Sequence, residues 1–66
     1  MLCKIIFDDH SWVIGKRVSK WDALLLRETP GTHHYWIQEA SELKSDLVGK
    51  RVAIPIYKMK YHIFLD

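Results

Sequence analysis

Apolar positions fall along this chain in short bursts, separated by polar turn signals. The burst Ala23-Leu24-Leu25-Leu26 is apolar on both faces of any strand it forms, the pattern of a strand covered on both sides. Residues 33–40 follow with Tyr35, Trp36 and Ile37, all types favoured in strands. Between the two lies Glu28-Thr29-Pro30-Gly31-Thr32. Pro30 presets φ for position i+1 of a type II turn, and Gly31 can take the positive φ needed at i+2. Pro-Gly does not suit the primed turns of the tightest hairpins, so a loop of about four or five residues is expected. Residues 21–40 thus read as a hairpin against which the rest of the chain is placed. The alternative is a helix over residues 19–28, capped by Ser19 with Asp22 three residues on and stopped at Thr29-Pro30-Gly31.

The same patterning predicts the other elements. Residues 2–7 read as a strand, Asp8-Asp9-His10-Ser11 as a polar turn, and residues 12–18 as a second strand. Gly15 interrupts that strand and predicts a bulge or bend. Residues 40–47, with Ser41 as a possible cap, predict one or two helical turns closed at Gly49. Over residues 50–57 the alternation of Val52, Ile54 and Ile56 predicts a strand with one buried face. Pro55 lacks an N–H, which puts that strand at an edge or bulges it. Lys58-Met59-Lys60 would be a tight connection or a bent continuation. Tyr61, Ile63 and Leu65 then mark one face of a last strand.

Together these elements give a mainly β chain of five or six short strands with one short helical turn, as in a small barrel or sandwich. The strand count and Gly-led corners resemble the pattern of SH3-like barrels, although no stretch carries a family motif. The α+β alternative retains a helix near residues 19–28. The expected core is Leu24, Leu26, Ile37, Val52, Ile54, Ile63 and Leu65. One hexamer occurs twice in similar form, Val13-Ile14-Gly15-Lys16-Arg17-Val18 and Leu47-Val48-Gly49-Lys50-Arg51-Val52. Two copies fall short of a repeat architecture.

Length changes this picture most. Sixty-six residues make one domain, residues 1–66, and a chain of this size buries only about 60% of its unfolded surface. Its single cysteine, Cys3, excludes an intrachain disulfide and leaves a structural zinc site of cysteine type without ligands. Dense packing or a partner subunit must supply the missing stability, so a homodimer is expected. No signal peptide or membrane-length apolar run is visible, so the expected setting is cytoplasmic with Cys3 reduced.

Candidate chemistry is thin, and neither catalysis nor a cofactor is expected. Asp8-Asp9-His10 follows an apolar strand, a place where carboxylates and histidine can hold a metal. Polar turns use Asp for their own hydrogen bonds, however, and that reading is preferred. His33 and His34 are adjacent in a strand and point to opposite faces, so they cannot easily share one ion. Cys3 lies among strand residues and reads as a small buried hydrophobe. Ser41 and Ser45 are explained by the helical turn.

The basic residues carry more. Lys16, Arg17, Lys50, Arg51, Lys58 and Lys60 cluster near Gly corners and strand ends, with Trp21, Tyr57 and Tyr61 among them. Small barrels bind single strands by stacking bases on aromatics beside a basic groove. The net charge is only +2, which supplies little of the phosphate attraction that dominates such affinity. With 48% of residues hydrophobic, some apolar surface should remain uncovered, and such patches mark protein contacts. The function expected is therefore a small non-enzymatic binding module acting through protein–protein contact, of adaptor or inhibitor type and self-associating. The alternative is a nucleic-acid-binding barrel that uses the same basic and aromatic residues.

Overall fold

In the computed structural model, which describes residues 2–18 and 31–66, the chain begins with a tight hairpin. Strand β1, Leu2–Phe7, turns through Asp8-Asp9-His10 into β2, Trp12–Arg17. His10 N donates to Phe7 O at 3.0 Å and Phe7 N to Ser11 O at 2.9 Å. His10 takes φ 69°. That is a three-residue loop built on a type I turn followed by a left-handed residue, one of the common hairpin solutions. The Asp9 carboxylate accepts from the Ser11 backbone N–H at 3.0 Å and from the Ser11 hydroxyl, which holds the turn closed.

Among the described residues the next strand, β3 (Thr32–Ala40), is the longest and pairs antiparallel on both sides, with β2 and with β4 (Arg51–Pro55). The last strand, β5 (Met59–Phe64), returns to pair with β1. One five-stranded antiparallel sheet results, in the order β4-β3-β2-β1-β5. The mainly β expectation holds, with five strands among the described residues. Among the described residues the sheet is open, with β4 and β5 as its two edges, so the barrel-like expectation holds only as curvature. In a flat sheet three strand spacings of about 4.8 Å would separate β3 from β5. Yet the Tyr35 hydroxyl of β3 lies 3.1 Å from His62 Nε2 of β5, so the sheet curls around its inner face.

That inner face holds the core. Cys3, Ile5, Val13, Tyr35, Ile37 and Ile54 are buried, with Phe7, Ala40, Leu47, Val52 and Met59 packed against them. Gly15 sits where the β2–β3 register shifts between Ile14 and Gly15, and a Cβ there would lie 2.8 Å from Trp36 O. The predicted bulge thus has a steric cause. The β3 backbone at Trp36 passes too close to the β2 backbone for any side chain at position 15.

Several expectations need correction. The strand predicted over 50–57 ends at Pro55, after which a 3₁₀ turn, Ile56–Lys58, replaces its last residues. β5 then starts at Met59, ahead of the predicted start at 61. The short helix or 3₁₀ turn expected in 40–47 is present as a 3₁₀ turn, Glu42–Leu47, with Gly49 beyond its end at φ 82° as expected. Ser41 occupies its N-cap position without making a side-chain cap bond. Its Oγ instead accepts from Trp12 N at 3.0 Å and donates to Trp12 O at 3.3 Å, tying the turn to β2.

Ile37 and Ile54 are buried as expected and Val52 is half-buried, but Ile63 and Leu65 are 43% and 46% exposed. They lie on the outer face of an edge strand, where none of the described residues forms a layer over them. Leu24, Leu26, the strand expected over 23–26 and the alternative helix at 19–28 fall outside the described residues. Within those residues, Gly31 at φ 78° has the value required at i+2 of a type II turn, and β3 has β2 and β4 as its neighbours.

Candidate functional site

The register decides which candidate residues meet. Lys16 of β2 and Arg51 of β4 both lie directly opposite Trp36 of β3, one on each side. Directly opposed residues share a face, so the row Lys16–Trp36–Arg51 runs across the outer surface. Trp36 is 44% exposed there, and the Arg51 guanidinium lies 5.2 Å from its ring centroid. A second cation–aromatic pair continues on the same face, with Lys4 Nζ 4.7 Å from the Trp12 ring. The two similar hexamers therefore flank a single tryptophan, but as unlike structures. Gly15 lies within a ladder, whereas Gly49 turns the chain with positive φ.

Arg17 follows Lys16 and points to the opposite face. Its Nη2 lies 2.5 Å from His33 Nδ1. These two residues line an open pocket of about 260 Å³ with Tyr35, Ile56, Met59, His62 and Phe64. Burial pushes the Tyr35 phenol above its ordinary range, opposed by the nearby positive charge of Arg17. Cys3 lies on the same inner face, and burial raises its thiol as well. The His62 ring meets the edge of Phe64 at 4.9 Å between centroids. His34, on the other face, is buried, and among the described residues its Nδ1 has no hydrogen-bond partner. The two adjacent histidines thus do serve opposite faces.

Most of the remaining candidates lie at the other edge of the sheet. Tyr57 and Lys58 occupy the second 3₁₀ turn and line a shallow pocket with Phe7, Asp8, Asp9 and Lys44. Lys60 Nζ is 5.8 Å from the Tyr61 ring, and Tyr61 lies opposite Ile6. Lys50 is exposed in the turn before β4, where its backbone accepts from Ile37 N at 3.0 Å. Trp21 falls outside the described residues. The sequence-derived set therefore divides into a Lys16/Arg51 group and a Tyr57–Tyr61 group, separated by the width of the sheet.

Asp8, Asp9 and His10 remain turn residues. The Ser11 hydroxyl and backbone N–H hold the exposed Asp9 carboxyl below the ordinary carboxylate range. Among the described residues no group of three or more His, Cys, Asp or Glu stands close enough to hold a metal ion.

The chain matches no protein-family model, no curated protein and no solved structure. Its function must therefore be argued from its own surface.

Sequence reasoning missed Trp36, Tyr35 and His62. No local signal marks them, because each gains its role from a strand brought alongside by the register. The surface contains one further feature. Ile56, Tyr57, Tyr61, Ile63, Phe64 and Leu65 are all exposed within ten residues, along and beside edge strand β5. Among the described residues, no helix is long and apolar enough to cross a membrane.

Proposed function

We propose that this chain is a small non-enzymatic binding module that works through protein–protein contact in the cytoplasm and associates with itself. The observation that carries this reading is the apolar run along β5. A small soluble domain rarely leaves a contiguous apolar strip uncovered, and such strips mark contact surfaces. An edge strand adds unpaired backbone groups to that strip, a template for strand addition. The small size supports the same reading, since a core of this size barely offsets the entropy of ordering. The SH3-like pattern remains an analogy of strand number and Gly-led corners and assigns no ligand. Light scattering from 10 to several hundred micromolar tests the reading. We expect a mass that rises above 7.8 kDa with concentration. A constant monomer mass would refute self-association.

One observation favours a second reading, nucleic-acid binding. The Lys16–Trp36–Arg51 row supplies an exposed ring between two cations, the elements of a base-stacking platform. Titration of labelled single-stranded DNA and RNA at two salt concentrations tests it. Binding that falls steeply with salt, quenches tryptophan fluorescence and is lost in Trp36→Ala would establish this reading. No binding of either polymer at low salt would end it.

A further inference from the structure

We propose that the partner of β5 is a second copy of this chain, joined strand to strand in an antiparallel ladder whose two-fold axis passes at Ile63. This inference rests on the self-association reading and names its interface. The backbone fixes which groups are available. Leu65 N donates to Leu2 O at 2.9 Å, and the β1–β5 register continues as Lys4↔Ile63 and Ile6↔Tyr61. Hydrogen-bonded pairs alternate along an antiparallel ladder. Tyr61, Ile63 and Leu65 therefore turn their backbone groups toward β1. His62 and Phe64 turn theirs to the open edge, where no described residue pairs with them.

A second β5 must meet those edge-facing groups, which leaves few registers. Centring on Ile63 pairs His62 with Phe64 of the second copy, and Phe64 with its His62. The two hydrogen-bonded pairs exchange four backbone bonds. On the outer face Tyr61 then meets Leu65 and Ile63 meets Ile63. At both ends Lys60 stands opposite Asp66, a charge-complementary pair in which the Asp66 carboxylate also accepts from Leu2 N at 2.8 Å within its own protomer. Imidazole and phenyl rings already meet edge to face within one protomer, and this register brings further rings of the same two kinds together. Centring one residue earlier, on His62, opposes two histidines and sets Lys60 against Phe64. The chemistry of the strand selects Ile63.

The other edge is less suited. β4 has five residues, ends in Pro55 and carries Arg51, features that blunt an edge. β5 carries Tyr61 at 57% and Phe64 at 62% exposure, with Ile63 and Leu65 beside them. Together these side chains and the strand backbone offer roughly 1,000 Å² over two protomers, near the lower bound of a specific interface. Such an interface gives dimers at micromolar concentration.

The test uses two variants. At the centre of this register Ile63 is a non-hydrogen-bonded pair, with Cα atoms about 4.5 Å apart, within disulfide reach. Ile63→Cys with oxidised glutathione, which accepts the two electrons and two protons, should give a covalent dimer near twice 7.8 kDa. Wild type, whose Cys3 is buried, should not. Phe64→Pro removes an edge-facing N–H and the exposed phenyl ring but no hydrogen bond to β1, so its far-UV spectrum should stay that of the wild type. Its mass should remain monomeric at concentrations at least tenfold above those that dimerise the wild type. If the wild type dimerises while Ile63→Cys fails to cross-link and Phe64→Pro still dimerises, this interface is wrong and self-association stands. If the wild type is monomeric throughout and Ile63→Cys does not cross-link, both are overturned.

Discussion

Replacing Gly15 with alanine isolates one contact in the sheet. Gly15 is buried, and an added Cβ would lie 2.8 Å from Trp36 O, 3.1 Å from Ile37 Cδ1 and 3.3 Å from Trp36 C. Two of those three atoms are backbone in the neighbouring strand, so the clash is relieved only by moving β3 away from β2. Overpacking of this kind costs about 1–3 kcal/mol. Removing glycine's freedom in the unfolded chain returns about 0.5–1 kcal/mol, leaving a net loss of about 0.5–2 kcal/mol. In a domain this small each kcal/mol lowers Tm by about 4–8 °C, so the midpoint should fall by roughly 2–16 °C. Thermal melts by circular dichroism, with urea titration at 25 °C, measure both quantities. Adding Ile37→Val removes the Cδ1 contact and leaves the carbonyl contact, so it should rescue little of the loss. An unchanged or raised Tm in Gly15→Ala would refute the steric account. Full rescue by Ile37→Val would move the cause from the backbone to the side chain.

Gly49 differs, because a Cβ there meets open space while its φ of 82° strains any L-residue. Gly49→Ala should cost about 1 kcal/mol by urea titration, and Gly49→Asn should recover part of it. Tyr35→Phe deletes the bond to His62 and should cost about 1 kcal/mol, with Ile37 and the other core residues still protected in hydrogen exchange. Burial raises both the Cys3 and Tyr35 protonation ranges, from ordinary values of 9.0 and 10.0. The folded state then keeps protons the unfolded chain has lost, so stability is intact below about pH 9 and falls as pH rises through the folded values. Cys3→Ser combined with Tyr35→Phe should flatten that alkaline loss in urea midpoints taken from pH 8 to 11. Ser11→Ala should return the Asp9 carboxyl toward its ordinary range in an NMR titration.

Local signals carried most of the strand map. Alternation located β1, β2, β3 and β4 to within a few residues, Gly15 marked the bulge, and Pro55 marked both an edge and the end of β4. β5 shows why alternation alone does not define a core. Tyr61, Ile63 and Leu65 do share a face, but period two cannot say which face is covered, and theirs is the exposed outer one. Phe64 and Met59 supply the inner face instead. The Lys16–Trp36–Arg51 row was illegible for a different reason. It joins positions 20 and 15 residues apart in sequence, and only the register brings them together. The bulge at Gly15 alters that register by one residue, so no reading of separate strands anticipates the pairing. Ser41 was misread because its cap position was recognised while its better partner, the Trp12 backbone, lies 29 residues away.

Cys3 is the only sulfhydryl in the chain, and its side chain is wholly enclosed by the inner face, at 0% exposure. Its reaction with a soluble thiol reagent therefore has to wait until the sheet parts around β1. The labelling rate becomes a clock for that opening. For a stability of about 3–5 kcal/mol, labelling should run roughly a hundred to several thousand times slower than for an exposed thiol. Because β1 joins β5 to the rest of the sheet, the same clock reports on the strand that holds the apolar edge in place. Any contact that seals that edge should slow it further, without an added probe.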